Sequence, residues 1–572
     1  MPDLGADVVS DLGTGFGSAE NIALLRQCEL AKRTILLRIL LTELDAKAPA
    51  DKAASALPEA LDLLRRGPAD ELLLYPNVGV WLVHCLRRLA RPAADATPLW
   101  ADLAYLGWLA ATQLVECRRA GALTVVVRDG VVMLPRLGLA RIGDPGLHCV
   151  AKLDHRDGLI EISSADRTVT VPDTGAELDG RWLPLRLLGR TRTTGHPVFL
   201  DDLDPFRDFF DPYFASRLAG GPPRLSAAQA GVWQEQFSVA MDLLHSDYRG
   251  YAGAIDHGLR AVVPLSAEPE PVGMSNTSFD AFGGVNMSAA AGPQQFALSL
   301  IHEFQHAKLG VLADQVPLHE PVPRDDLYAP WRDDPRPLNG LLQGIYAHLG
   351  VTDFWRVNRR DSARGTLLAH VEFARWRTQV GRALDEARTS PLLTESGRRF
   401  VDAMTTATLG WDEPVPDAAD RLADESAAAH HVFWRVRNMR VADDDVAALR
   451  DRWQAGQPAG PLPPSALATP SIDYRSRLLP GYLRLFGASA GQPPPADAAY
   501  AEGDLDTALS LYEQELTQDP WCPQPWAGIA LCLRGDAPLW PLLDRAEVVA
   551  SLYHALDGRC DLPRLVAWLA EG

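Results

Sequence analysis

Residues 294–309 constrain this chain more than any other stretch, because they contain His302-Glu303-Phe304-Gln305-His306 within largely apolar text. On a helix, residues four apart lie on one face, one turn above the other. Two imidazoles so placed can grip one divalent metal ion. Glu303, rotated about a quarter turn from them, can reach a metal-bound water or a substrate.

The length of 572 residues corresponds to about four domains. A net charge of -19 and a pI near 5.2 argue against nucleic acid or an anionic membrane as the main partner. No uninterrupted apolar run reaches the roughly 20 residues a membrane span needs. The seven cysteines form no CxxC pair, so neither a zinc ribbon nor a thioredoxin-like motif is indicated. Buried free thiols in a reducing cytoplasm are the simplest reading, and the N-terminus shows no signal peptide. Lysine occurs only at Lys32, Lys47, Lys52, Lys152 and Lys308, the last of them two residues beyond the histidine motif.

The text divides into five stretches. Residues 1–122 are helical in period, with breaks at Gly67-Pro68, Pro76-Asn77 and residues 92–98. His84 sits in apolar helix text, as a packed, hydrogen-bonded histidine would. Residues 123–220 read as a small antiparallel β region. In it, residues 123–134 predict a hairpin about Asp129-Gly130, and residues 158–171 a second one turning at Ala165-Asp166-Arg167. His148, His155 and His196 read as surface residues there, and Asp201-Asp202-Leu203-Asp204-Pro205 as a solvated acidic turn.

Residues 221–455 read as the metal-binding catalytic domain. Ser226 caps a helix, short strands are expected at 259–265 and 283–288, and the motif helix begins near Pro293. Strand, small-residue loop, metal helix is the order of zincin-type enzymes, where the strand beside the helix can pair with an extended peptide. Further helices are expected at 338–349, 366–389, 394–409 and 418–441, the first with small residues that let it approach another helix. Residues 456–498 form a Pro/Gly-rich linker region, and residues 499–572 a tail like a tetratricopeptide repeat, with a first helix over 499–512. The fold class expected is α+β and predominantly helical, with a zincin-like metal helix beside a small antiparallel sheet.

A catalytic metal needs three protein ligands and open positions. The extended form HExxHxxGxxH fails, since Gly310 and Asp314 do not match it. The third ligand is therefore sought downstream, among His348, His319, Glu320, His370 and Glu372. His348 is favoured for its place on the next helix between small residues. With zinc, Glu303 would act as general base on a metal-bound water and a peptide bond would be cut. With Fe(II), adjacent open positions would suit a bidentate 2-oxo acid and O2. Such a site needs a cation for the distant carboxylate, and Arg332 and Arg336 in the proline-rich stretch are the candidates.

Three stretches carry a resemblance: Ile301-His302-Glu303-Phe304-Gln305-His306-Ala307-Lys308-Leu309-Gly310, Tyr328-Ala329-Pro330-Trp331-Arg332-Asp333-Asp334-Pro335-Arg336-Pro337-Leu338, and Gly344-Ile345-Tyr346-Ala347-His348-Leu349-Gly350-Val351. Together with Val127-Arg128-Asp129-Gly130 and residues 277–283, they resemble the HExxH-motif peptide-modification proteins encoded beside radical-SAM maturases in gene clusters for ribosomally made, modified peptides. The resemblance implies modification of a precursor peptide, and similarity to Fe(II)- and 2-oxoglutarate-dependent enzymes that hydroxylate a side chain at Cβ. In that reading His302 and His306 hold iron; with His348 as the favoured third ligand, Glu303 would orient water or substrate and the strand near Val285 and Asn286 would lie along the peptide. The partners implied are the precursor peptide and a radical-SAM maturase. The alternative is a zinc metalloprotease that trims the leader.

Overall fold

Near residue 120 the helical text gives way to valine-rich alternation, and the backbone changes with it. The computed structural model describes residues 4–46, 57–66, 69–91, 97–165, 167–172, 180–207, 224–269, 274–322, 326–361, 366–468, 493–534 and 539–571. The expected breaks at Gly67-Pro68 and residues 92–96, the turn residue Asp166, and residues 469–492 of the linker region lie outside them. The fold is α+β and predominantly helical. It divides into two compact units, Met1–Pro317 and Leu318–Gly572. The boundary cuts the span 221–455 that the sequence presents as one domain.

In the first unit, α1 (Ala6–Gly13), α2 (Ala19–Ala46), α3 (Leu57–Arg65), α4 (Asp70–Leu73), α5 (Pro76–Ala90), α6 (Leu99–Asp102) and α7 (Ala104–Glu116) precede the strands. Trp81 of α5 stacks on Tyr105 of α7, ring centroids 5.1 Å apart, and both are fully buried with Val125 and Leu153. Each buried aliphatic side chain in that core contributes roughly 1.5–3 kcal/mol. His84 is hydrogen-bonded as expected, its Nε2 2.8 Å from the Asp102 carboxylate. Arg33 of α2 has no exposed surface. It donates to the carbonyls of Leu73 (3.0 Å), Tyr75 (2.7 Å), Asp280 (3.4 Å) and Phe282 (3.4 Å), and to Glu29 (2.7 Å).

Strands β1 (Gly121–Val127) and β2 (Val131–Leu134) do not form the expected hairpin. The turn between them is the expected one: Asp129 (φ 53°) and Gly130 (φ 75°) are both left-handed, and Arg128 and Val131 exchange both backbone bonds at 3.0 Å. Beyond that rung the strands part. β1 pairs with β4 (Cys149–Arg156) in the sheet β1-β4-β5-β6, and β2 with β3 (Gly138–Arg141) in the sheet β2-β3-β7. A period of two says which face is buried, not which strand is the neighbour. β5 (Leu159–Ser163) and β6 (Thr168–Pro172) do pair antiparallel as expected, and β7 is Trp182–Pro184.

A third sheet has the order β11-β12-β10-β9-β8 and joins text that the sequence assigns to two domains. Its strands are β8 (Arg186–Arg190), β9 (Pro197–Leu200), β10 (Ala261–Pro269), β11 (Ser275–Asn276) and β12 (Gly284–Ala289). It is mixed rather than antiparallel, since β10 runs parallel to both β9 and β12. Between β9 and β10 run α8 (Ala227–Asp247), closed by a Ser226/Gln229 capping box, and α9 (Arg249–Gly258).

Two polar expectations fail here because their partners are remote in sequence. Asp201, Asp202 and Asp204 are buried, not solvated: Asp201 accepts from Tyr75 and Asn77, Asp202 from Arg186 and Arg224, and Asp204 from Tyr105. Beside Asp201 and out of water, the Asp204 carboxyl rises to about 7, burial being the larger cause. His155 is buried, its Nδ1 donating to the Arg119 carbonyl at 2.8 Å, whereas His148 and His196 are half-buried.

The first unit ends with α10 (Pro293–Gln315). In the second, α11 (Leu338–Asn358), α12 (Leu367–Thr389, capped by Thr366), α13 (Glu395–Thr408, capped by Thr394) and α14 (Asp417–Asn438) come first. α15 (Asp443–Gln454) lies between β13 (Met439–Val441) and β14 (Ser465–Leu467), which pair, so part of the expected linker is a strand. The tail's expected first helix is two, α16 (Pro495–Glu502) and α17 (Leu505–Gln518). Gly503 takes a left-handed φ of 87°, and Asp504 caps the new helix through Thr507 N at 3.1 Å. The return helix is α18 (Pro523–Cys532). All seven cysteines are free thiols, but only Cys28, Cys85 and Cys532 are buried. No helix of the described residues is long and apolar enough to cross a membrane.

Candidate metal centre

The motif lies on α10, which starts with Pro293 in its first turn. Phe296 meets the rings of Trp233 (5.8 Å) and Phe237 (6.0 Å) on α8. Phe304 fills the place of a side chain at Gly258 of α9, where an added Cβ would come within 2.1 Å of its ring. From Ile301 to Leu312 every residue except His302 and His306 is buried. The helix is thus sunk in the unit with the two imidazoles as its only partly accessible side chains over that span; the His302 side chain is 25% exposed.

Their Nε2 atoms are 3.2 Å apart. Two nitrogens each about 2.0–2.1 Å from one ion, at a tetrahedral angle, are about 3.3 Å apart. The pair therefore fits two positions of a divalent metal; the same separation suits an N–H···N bond between the rings. Glu303 stands beside them, its Oε1 3.8 Å from His302 Nε2 and its side chain 1% exposed. Thr277 Oγ1 donates to Glu303 Oε2 at 2.8 Å, and the Ser275 hydroxyl bonds the same carboxylate. Burial pushes the Glu303 carboxyl up, against the pull of His306 and the two hydroxyls. Ser275 and Thr277 are two apart and so share one side of an extended segment. Neither is singled out in sequence, where residues 275–278 read as a plain polar loop; the alternation of two hydroxyls ahead of a metal helix was the available signal.

The strand at Val285 and Asn286 is not an edge. β11 doubles back to pair with it, Asn276 opposite Asn286, and the two amides share a 3.0 Å hydrogen bond. The same polar segment whose hydroxyls hold Glu303 thus covers the edge that a peptide was expected to use. Lys308 is fully buried, its Nζ donating to Gly15 O (2.7 Å) and Phe16 O (2.9 Å), and burial pushes its ammonium down to about 7.

Among the described residues no group of three or more His, Cys, Asp or Glu side chains is gathered closely enough to hold a metal ion. The five third-ligand candidates all fall in the second unit. His348 is not at a helix end but in mid-α11, 7% exposed, its ring stacked on Trp331 and tilted against Trp376, centroids 4.4 Å away in each case. Gly344 makes room for the Trp331 indole, which an added Cβ would meet at 2.2 Å, rather than for another helix. His348 Nδ1 donates to Gly344 O at 2.8 Å, which leaves the lone pair on Nε2, the tautomer a metal ligand uses. His319 bonds the Glu320 carbonyl at 2.9 Å, Glu372 accepts from Trp376 at 2.7 Å, and burial lowers the pKa of His370. Arg332 and Arg336 both grip Asp334, at 3.0 and 3.1 Å, and so hold its carboxyl below the usual range. The carboxylate these two cations were expected to find in a 2-oxo acid is thus supplied by Asp334 of their own loop.

No model of a known protein family matches this chain, and no curated protein matches it.

Proposed function

We propose that this chain is a metal-dependent oxygenase that hydroxylates a side chain, at Cβ, of a ribosomally made precursor peptide. The observation that carries the metal is the His302/His306 pair, two convergent nitrogens 3.2 Å apart on a helix otherwise buried from Ile301 to Leu312. The iron and the peptide rest on the resemblance of the motif stretches. His302 and His306 would hold Fe(II), with His348 as the further ligand to be tested. Bound iron with 2-oxoglutarate and O2 would supply the oxidant that replaces a C–H by C–OH. Glu303, fixed by Thr277 and Ser275, would orient water or the peptide. The parallel β10/β12 pair followed directly by α10 supports a zincin-like arrangement, and α16 to α18 a tetratricopeptide-like tail for docking the precursor or a radical-SAM maturase in the cytoplasm.

A zinc peptidase is the second reading, favoured by Glu303: a buried carboxyl of raised basicity next to the pair is suited to take a proton from water. The two part in one experiment. The protein is reconstituted anaerobically with iron or zinc and given the neighbouring precursor peptide, 2-oxoglutarate and O2. A peptide heavier by one oxygen, with iron only, supports the oxygenase; a shorter peptide with zinc replaces it by the peptidase.

A further inference from the structure

The second unit contains a pocket of about 440 Å³ lined by Tyr328, Arg382, Glu386, His431, Trp434 and Met439, with Asp326 and Leu467 at its rim. Its floor is the buried ring of Tyr328, whose hydroxyl bonds His430 Nδ1 at 2.8 Å and whose faces and edges meet His431 (5.0 Å) and Trp434 (5.2 Å). The Arg382 guanidinium lies over that ring, 5.1 Å from its centroid, and donates to His431 Nε2 at 3.0 Å. His431 donates from Nδ1 to Leu543 O at 2.9 Å, so the nitrogen facing Arg382 carries a lone pair and the ring is neutral. Arg382 thus spends one N–H on an uncharged acceptor. Among the described residues no carboxylate lies within ion-pair distance of it. The other arginine of the wall, Arg435, is committed to Glu547 through two bonds of 2.6 and 2.7 Å. One turn along α12 from Arg382 stands Glu386, partly withdrawn from water, its carboxylate accepting from the Tyr328 backbone N–H and drawn towards Arg382, with Asp326 also on the wall.

A simple anion would meet the two carboxylates, and a simple cation would meet Arg382. A ligand carrying both charges, a few bonds apart, suits both Arg382 and Glu386. Met439, Leu467 and the faces of Tyr328 and Trp434 leave an apolar wall beside them. We propose that this pocket binds a free α-amino acid with an apolar side chain. Its carboxylate lies on Arg382, its ammonium group faces Glu386 and Asp326, and its side chain lies against Met439 and Leu467. The volume falls within the range of small-molecule sites.

The test is titration calorimetry on the full chain with L-leucine, leucinamide, N-acetyl-L-leucine and the dipeptide Leu-Leu, with Trp434 fluorescence as a second readout. L-leucine is expected to bind, and removal of either charge to weaken binding about tenfold or more. Arg382→Gln should weaken L-leucine by a similar factor and erase its advantage over leucinamide. Glu386→Gln should erase its advantage over N-acetyl-leucine. Both side chains are at the surface of their helix, and unchanged melting temperatures establish that the variants fold. Absence of L-leucine binding at 10 mM, or wild-type affinity in both variants, overturns the proposal. Tighter binding of Leu-Leu than of L-leucine overturns the free amino acid as occupant.

Discussion

Replacing Lys308 by Met tests whether an ammonium group is held where water does not reach it. In the folded chain its pKa is about 7 instead of 10.5, burial being the cause and Asp11 the weaker opposing influence. The folded state therefore gives up this proton first. Between those two values the unfolded chain binds more protons, so stability rises with pH. Below about pH 7 the contribution is flat and at its least favourable. At about 1.4 kcal/mol per unit, the whole window amounts to about 5 kcal/mol, of which about 2 kcal/mol falls between pH 7 and pH 9. Methionine removes this titration but also leaves the carbonyls of Gly15 and Phe16 without their donor, at roughly 1–3 kcal/mol each. The two effects nearly offset one another at pH 6, where the variant should match the wild type. By pH 9 roughly half of the penalty on the wild-type lysine has gone, and the variant should fall behind by about 2 kcal/mol more. Urea unfolding followed by circular dichroism at pH 6, 7, 8 and 9 measures the difference. A Lys308→Met chain that gains stability with pH as steeply as the wild type refutes the argument.

Thr277→Val removes a hydroxyl from a buried carboxylate; the cost should be about 1.5–3 kcal/mol at pH 8 and smaller at pH 5, where Glu303 is more protonated, as denaturant midpoints at the two pH values will show. Gly344→Ala pushes a methyl group into the Trp331 ring and should cost roughly 1–3 kcal/mol, with a changed tryptophan emission as Trp331 leaves His348; an unchanged spectrum and midpoint would show the contact to be loose. His306→Ala leaves a single imidazole, so iron or zinc retained after dialysis should drop by at least about tenfold while the melting temperature holds; stoichiometric metal in that variant sinks the ligand assignment.

What the sequence discloses is local. The period of the motif helix, its start at Pro293, the Ser226 cap and the Asp129-Gly130 turn are all short-range chemistry, and each is found where expected. What it hides depends on partners far along the chain. Gly503, between Glu502 and Asp504 in text of otherwise helical period, ends one helix, and Asp504 starts another. An acidic run looks solvated until Tyr75, Asn77, Tyr105 and two arginines arrive from elsewhere. The site divides in the same way. The spacing of His302 and His306 is a property of the helix alone, whereas the hydroxyls on Glu303 belong to a segment 26 residues earlier. The aromatic sandwich around His348 joins two helices and a loop, and nothing in the spacing of Trp331, His348 and Trp376 foretells it.

The buried guanidinium of Arg33 has a consequence in time. Its bond to the Asp280 carbonyl spans 247 residues. At roughly 5–20 residues per second, a ribosome takes about 10–50 s to supply that segment. Throughout that interval α2 has emerged with a charge for which half of the carbonyl cage does not yet exist. The loop that closes the cage, between β11 and β12, is followed by β12 and then by the motif helix. A nascent chain shorter than about 280 residues is left with an arginine that cannot complete its docking, and the histidine pair is among the last parts of its unit to emerge.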